Sequence, residues 1–136
     1  MIESDAQLAA LQESFLASDW ATRTPVAVEV PFALVLGSQV IRGQIDAAFD
    51  ADDGVHQHLL VDWKTSERDA DDLQLAIYRQ AWALARGVDP ATVDAVFVHV
   101  RSGRIQRPAH LATREELEQR LVGGMKALDE LRTGGA

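Results

Sequence analysis

Three runs of alternating apolar residues follow one another at 26–36 (VAVEVPFALVL), 39–49 (QVIRGQIDAAF) and 57–64 (QHLLVDWK). The connections between them, 37–38 and 50–56, are too short for the crossover that parallel neighbours require. The chain is therefore expected to lay down an antiparallel meander. In the first strand Val26, Val28, Val30, Phe32, Leu34 and Leu36 share one face by the period of two, and Pro31 points to an edge strand or a bulge. In the second, Ile41, Gly43, Ile45, Ala47 and Phe49 share one face, with Val40, Arg42, Gln44 and Asp46 on the other. Asp50 to Gly54 reads as an acidic turn.

Beyond this meander the periodicity changes to 3.6. Residues 71–86 (DDLQLAIYRQAWALAR) predict a well-buried helix that starts on acids and stops at Gly87. Residues 94–100 predict a fourth strand, and reaching it through a helix suits parallel pairing. Residues 105–107 read as a short return strand. A helix is expected upstream at 4–18, capped by Ser4 or Asp5, with Leu8, Leu11, Phe15 and Leu16 at helical spacing. Another is expected at 113–131, with Thr113 as N-cap, Glu116 in the capping-box position, and Leu117, Leu121, Leu128 and Leu131 near one stripe, before a fraying TGGA tail. The order is α-β-β-β-α-β-α: an α/β (α+β) class with a mixed sheet flanked by helices.

Composition narrows the function. The 136 residues suit a single domain with a real core, and they include no cysteine. A disulfide scaffold, a thiolate zinc site and a cysteine-held iron–sulfur cluster are excluded. A net charge of −8 argues against a protein that coats nucleic acid. No apolar run is long enough to span a membrane, and the acidic start MIESDAQLAA is not a signal peptide, so a cytoplasmic location is expected. Arginine is strongly preferred: of 13 basic residues only Lys64 and Lys126 are lysine.

Lys64 lies two residues after Asp62, so both project from one face of the third strand, while Leu59, Val61 and Trp63 fill the other. This pattern equally fits an ion pair or an exposed polar face on a half-wet sheet. A meander turning near Asp53 brings Asp46 roughly opposite Val61 and Asp62. Two carboxylates and a lysine can then converge, and carboxylate oxygens suit a hard cation such as Mg²⁺. Glu29 can add a third carboxylate or act as an edge-strand gatekeeper. Gln74 and Tyr78 share a helix face at i, i+4, a spacing that also fits plain packing. Trp82 reads as core, and Asp69, Asp71 and Asp72 as a solvated helix start. Among the histidines, His56 and His58 read as hairpin surface, His99 as a strand interior and His110 as a loop residue. No Ser-His-Asp spacing, phosphate-binding glycine loop or HExxH helix is present.

Taken in order, VEVPF, RGQIDAAFD, LLVDWKTS and QLAIYRQAW resemble the PD-(D/E)xK nuclease superfamily over about residues 26–86. They resemble most the RecB-like exonuclease domains at the C-termini of bacterial UvrD/RecB-type DNA helicases. The resemblance implies a restriction-endonuclease-like core. It implies that Asp46 and Asp62 bind metal, that the Trp63 backbone carbonyl is a further metal ligand, and that Lys64 is catalytic. Glu29 takes a supporting role, and Gln74 and Tyr78 face DNA. The implied reaction is Mg²⁺- or Mn²⁺-dependent phosphodiester hydrolysis by a water attacking phosphorus in line. The implied partners are DNA, as single strands or duplex ends, and a superfamily 1 helicase motor in the same or a partner chain, in bacterial DNA repair or recombination near the nucleoid.

One departure stands out. Relatives of this kind usually carry a metal-ligand histidine on a helix before the first strand, and here no histidine precedes His56. The chain accordingly reads as a piece of a larger helicase–nuclease. Two alternatives compete with the exonuclease. One is a nuclease-like domain that no longer cuts but binds DNA ends or braces a helicase. The other is an unrelated acidic interaction domain.

Overall fold

The computed structural model describes residues 5–121. The candidate cap Ser4, the positions Lys126, Leu128 and Leu131, and the TGGA tail lie outside the described residues. A five-stranded mixed sheet runs in the order β1 (Ala27–Leu36), β2 (Gln39–Asp50), β3 (His58–Lys64), β4 (Val93–His99) and β5 (Arg104–Gln106). The first three strands form the expected antiparallel meander, with β1, and so Pro31, on the sheet edge. β3 and β4 pair in parallel, His58 with Val93 through Lys64 with His99. The return strand β5 pairs antiparallel with β4.

The crossover between β3 and β4 carries α2 (Asp72–Arg86). Asp71 caps its start, accepting the Leu73 N–H at 3.0 Å. Gly87 ends it at φ 67°, a left-handed conformation that glycine adopts without strain. The buried face of α2, including Leu75, Tyr78 and Trp82, packs on Ile45, Ala48, Leu60, Ala95 and Phe97. Described residues 114–121 form α3, which closes a second cluster of Leu34, Leu36, Ala76 and Leu117. Its N-terminus has the expected reciprocal cap: the Glu116 N–H donates to Thr113 Oγ1 at 3.2 Å and the Thr113 N–H to Glu116 Oε1 at 3.3 Å. The other face of the sheet, with Ala47, Phe49, Leu59, Val61, Val96 and Val98, is covered by Trp20 and Trp63. Phe15 of α1 (Asp5–Leu16) meets Trp63 edge-on, with ring centroids 5.4 Å apart. Among the described residues of α1, Leu11 alone is buried; Leu8 and Leu16 are exposed, so the apolar stripe expected there is narrower than its spacing implies.

Two of the expected strand faces break, at the same level of the sheet. Ile45 packs with α2, as does Ala48, but Ala47 and Phe49 belong to the opposite face. The second strand therefore exchanges faces at Asp46 instead of keeping Ile41 to Phe49 on one side. β1 does the same at Glu29: Ala27 and Val30 both pack towards α2, while Val26 and Val28 are exposed. Glu29 is the cause, because its φ of 49° turns the backbone left-handed within an extended strand. The pairing continues on both sides, Val28 with Ala47 and Val30 with Ile45, so Glu29 and Asp46 share one register level.

Candidate active site

The site lies where β2 and β3 part. Their ladder ends at Ala47 and Val61. At the next level the Asp46 side chain replaces a rung, its Oδ2 accepting the Trp63 N–H at 2.8 Å. On β3 the Lys64 carbonyl accepts from the Val100 N–H at 2.9 Å, so the Lys64 backbone faces β4. Backbone groups of successive strand residues point to opposite neighbours. The N–H and C=O of Trp63 therefore face β2, beside the Asp46 carboxylate.

Asp62 is almost fully buried, and one of its oxygens, Oδ2, lies 2.9 Å from the Lys64 ammonium without hydrogen-bond alignment. The same ammonium donates to Gln74 Oε1 at 3.1 Å. The Gln74 amide donates in turn to the Tyr78 hydroxyl at 2.7 Å, and that hydroxyl reaches Asp62 Oδ1 at 3.5 Å. Asp62, Lys64, Gln74 and Tyr78 thus close a ring between β3 and the first turns of α2. Burial and the Asp62 charge push the Tyr78 hydroxyl up to about 12, which keeps it a donor at neutral pH. Burial, reinforced by the neighbouring Asp62 carboxylate, raises Asp46 to about 6, against the lowering influence of the Trp63 N–H and Lys64.

These residues fit a hard divalent cation. The Asp62 Oδ2 atom is buried and lacks a hydrogen bond, and burial raises the Asp46 carboxyl to about 6. With the Trp63 carbonyl they make an all-oxygen donor set, which suits Mg²⁺ or Mn²⁺.

The remaining candidates fall as follows. Glu29 stands at the level of Asp46 but is exposed, and among the described residues it makes no hydrogen bond or ion pair to the cluster. Gln74 and Tyr78 turn their polar atoms into the ring, and Tyr78 is only 6% exposed. Trp82 is core, and its Nε1–H donates to His58 Nδ1 at 3.2 Å. Asp71 is a helix cap, and Asp69 pairs with Arg104 at 2.8 Å.

Two features were not legible in the sequence as site elements. His99 is fully buried, with Nδ1 2.7 Å from the Ser66 carbonyl and Nε2 3.1 Å from Gln106 Oε1. Gln106 grips Ala70 through both its N–H and its C=O. Together they brace the segment from Lys64 to α2. The available signal was a histidine inside an apolar strand. The second feature lies at the opposite end of β3, where Asp53, His56 and Asp94 bring ligand atoms within 4.8 Å of one another. There Asp94 is engaged by Arg107 at 3.0 Å and Asp53 by His56.

The chain is 32% identical over 82 residues to the Gene 69 protein of Mycobacterium phage D29. That match covers 60% of this chain and 29% of the phage protein, so the chain spans less than a third of that relative. It is also similar to the crystal structure of SSO0001, at 21% identity and a TM-score of 0.47, over 90% of this chain and 59% of that one. A model of the PD-(D/E)XK nuclease superfamily matches residues 3–134. The mixed sheet with helices on both faces is the restriction-endonuclease-like arrangement expected of it, and the chain belongs to the PD-(D/E)XK nuclease superfamily.

Proposed function

We propose that the protein is a metal-dependent deoxyribonuclease that hydrolyses phosphodiester bonds from DNA ends. One observation carries this reading: an acid from β2, an acid and a lysine from β3, and a glutamine and a tyrosine from α2 meet at the point where the sheet opens. Asp46, Asp62 and the Trp63 carbonyl would hold the cation. When bound, a divalent cation supplies positive charge and Lewis acidity at the phosphate. Lys64 offsets charge that develops on the phosphoryl oxygens, and its compact ammonium suits that role better than the arginine this chain otherwise prefers. Gln74 and Tyr78 position Lys64 and Asp62. Glu29, at the level of Asp46, supports the acidic rim.

We place this domain, residues 1–136, within a larger polypeptide or complex that includes a superfamily 1 DNA helicase acting in repair or recombination. The net charge of −8 supports a partner that supplies DNA affinity. The test is incubation of the protein, alone and with its full-length context, with end-labelled linear DNA in Mg²⁺, Mn²⁺ or EDTA. Products released from the ends only with metal, and lost in Asp62→Ala and Lys64→Ala, support the reading. Intact DNA under all conditions overturns it. A second reading is a nuclease-like domain that binds DNA ends without cutting. Metal-independent end binding without products is its signature.

A further inference from the structure

Lys64 closes β3 and Gln74 stands in the first turn of α2, just before Leu75, where the fully buried residues of that helix begin. The link between them starts with Thr65 to Asp69, all exposed, so core packing does not set its path. It is held instead by β4, β5 and the turn that joins them. The Val100 N–H donates to the Lys64 carbonyl at 2.9 Å, Arg101 Nε to the Thr65 carbonyl at 3.0 Å, and Arg104 Nη2 to the Glu67 carbonyl at 2.7 Å. The Ser66 carbonyl, between them, meets His99 Nδ1 at 2.7 Å. Further on, Gln106 accepts the Ala70 N–H at 3.0 Å and donates to the Ala70 carbonyl at 2.9 Å.

Among these ties His99 stands apart. Arg101 and Arg104 are exposed, and long exposed side chains hold a backbone weakly because fixing them costs rotamer entropy. His99 is 0% exposed, so its ring is already fixed by the fold. Its second nitrogen, Nε2, lies 3.1 Å from the same Gln106 Oε1 that accepts the Ala70 N–H, so one ring joins Ser66 to the clamp on Ala70. His99 is also the register partner of Lys64 across the parallel strands. We infer that His99 is a positioning residue for Lys64: by fixing the link at Ser66 and, through Gln106, at Ala70, it sets how Gln74 meets the Lys64 ammonium. The inference rests on the nuclease reading above and extends the machinery of cutting to a residue outside the ring. His99 acts in it only through Lys64 and Gln74. A shift of about 1 Å in a group that must meet a transition state can cost on the order of 10²-fold in rate, so a small slackening of the link is enough to matter.

The test uses two variants of the full polypeptide. His99→Phe keeps a ring and removes both nitrogens, whereas His99→Gln keeps an amide that can donate to the Ser66 carbonyl. In single-turnover digestion of end-labelled DNA with Mg²⁺, His99→Phe is expected to lower the rate about ten- to a hundredfold. Its affinity for the same DNA in Ca²⁺ should stay at the wild-type value, and His99→Gln should recover most of the rate. On a Gln74→Ala background His99→Phe should cost less than about twofold more, because the contact it tunes is already gone. Melting curves matched to wild type certify each fold, and Gln106→Leu, at a half-buried position, takes the place of His99→Phe if that variant does not fold. Hydrogen exchange in the metal-free protein reads the positioning without any cutting. The Arg68, Ala70 and Gln74 amides, each hydrogen-bonded in the wild type, should exchange faster in His99→Phe, while those of β1 and β2 keep their protection. A wild-type cleavage rate in the folded variant, weakened DNA binding, losses that add in full to those of Gln74→Ala, or unchanged exchange in the link each overturn the inference. Faster exchange in the link of a protein whose wild type never cuts DNA removes the nuclease reading alone.

Discussion

Gln74 holds the Lys64 ammonium: Nζ donates to Oε1 at 3.1 Å across the space between β3 and α2. The helix thereby fixes the position of a charge carried by the strand. If Lys64 offsets charge in the transition state, Lys64→Ala should lower the cleavage rate roughly 10²–10³-fold. Gln74→Ala leaves the charge but loosens it, and a loss of about tenfold is expected. Lys64→Arg should not rescue, because a planar fork cannot take the place of a point charge between Asp62 and Gln74. Single-turnover digestion of end-labelled DNA measures all three.

Tyr78→Phe keeps the ring and removes only the hydroxyl. It deprives the Gln74 amide of its acceptor and Asp62 Oδ1 of a donor, both inside the fold. Stability should fall by about 1–3 kcal/mol, read from urea unfolding at neutral pH.

The metal-free protein should become less stable as pH rises through about 6. Asp46 is raised from 3.8 to about 6, first by burial and then by the Asp62 carboxylate, so the folded state holds its proton more tightly than the unfolded state. The resulting stabilisation is complete below the unfolded value and is lost as pH climbs through the folded one. Thermal melts between pH 4.5 and 7.5 should show this slope, and Asp46→Asn should flatten it. If Asp46 holds Mg²⁺, adding the cation above pH 6 should restore stability to the wild type and not to the variant.

Gly43→Ala should destabilise the hairpin by about 1–3 kcal/mol, because the new methyl group collides with the Phe32 ring. Shrinking that ring should relieve the clash. The double variant Gly43→Ala/Phe32→Leu is therefore expected to be more stable than the sum of its parts, and a double-mutant cycle by denaturant titration checks it.

Much of this was readable from spacing. The short links at 37–38 and 50–56 allow only antiparallel neighbours, and the structure pairs them so. Asp71 and Gly87 bound α2 because capping is local chemistry, decided within a few residues. Asp62 and Lys64 share a face because two residues separate them. What spacing could not provide was the break in that same rule. A stripe from Val26 to Leu36 looks continuous, yet the φ of Glu29 divides it, and nothing in the local residue types calls for a left-handed glutamate. The hydrogen bond from the Trp63 backbone to Asp46 was equally hidden, since it depends on where a ladder stops. Resemblance gave Gln74 and Tyr78 a DNA-facing role, whereas spacing alone could not show that their polar groups meet the lysine and the acid.

The joint exchange of faces at Glu29 and Asp46 divides the hairpin into two stretches with separate loyalties. Below that level its side chains divide between the two faces of the sheet; above it, Val30, Phe32, Leu34, Leu36, Ile41 and Ile45 all turn to the helix-covered face. The outer stretch is thus core as far as Leu36. Only the turn beyond it can lengthen by matched pairs of residues, keeping the alternation, while Asp46 stays where it is. Under the proposed nuclease function, length variation at this tip would change how far the protein reaches along DNA and leave Asp46, Asp62 and Lys64 in place.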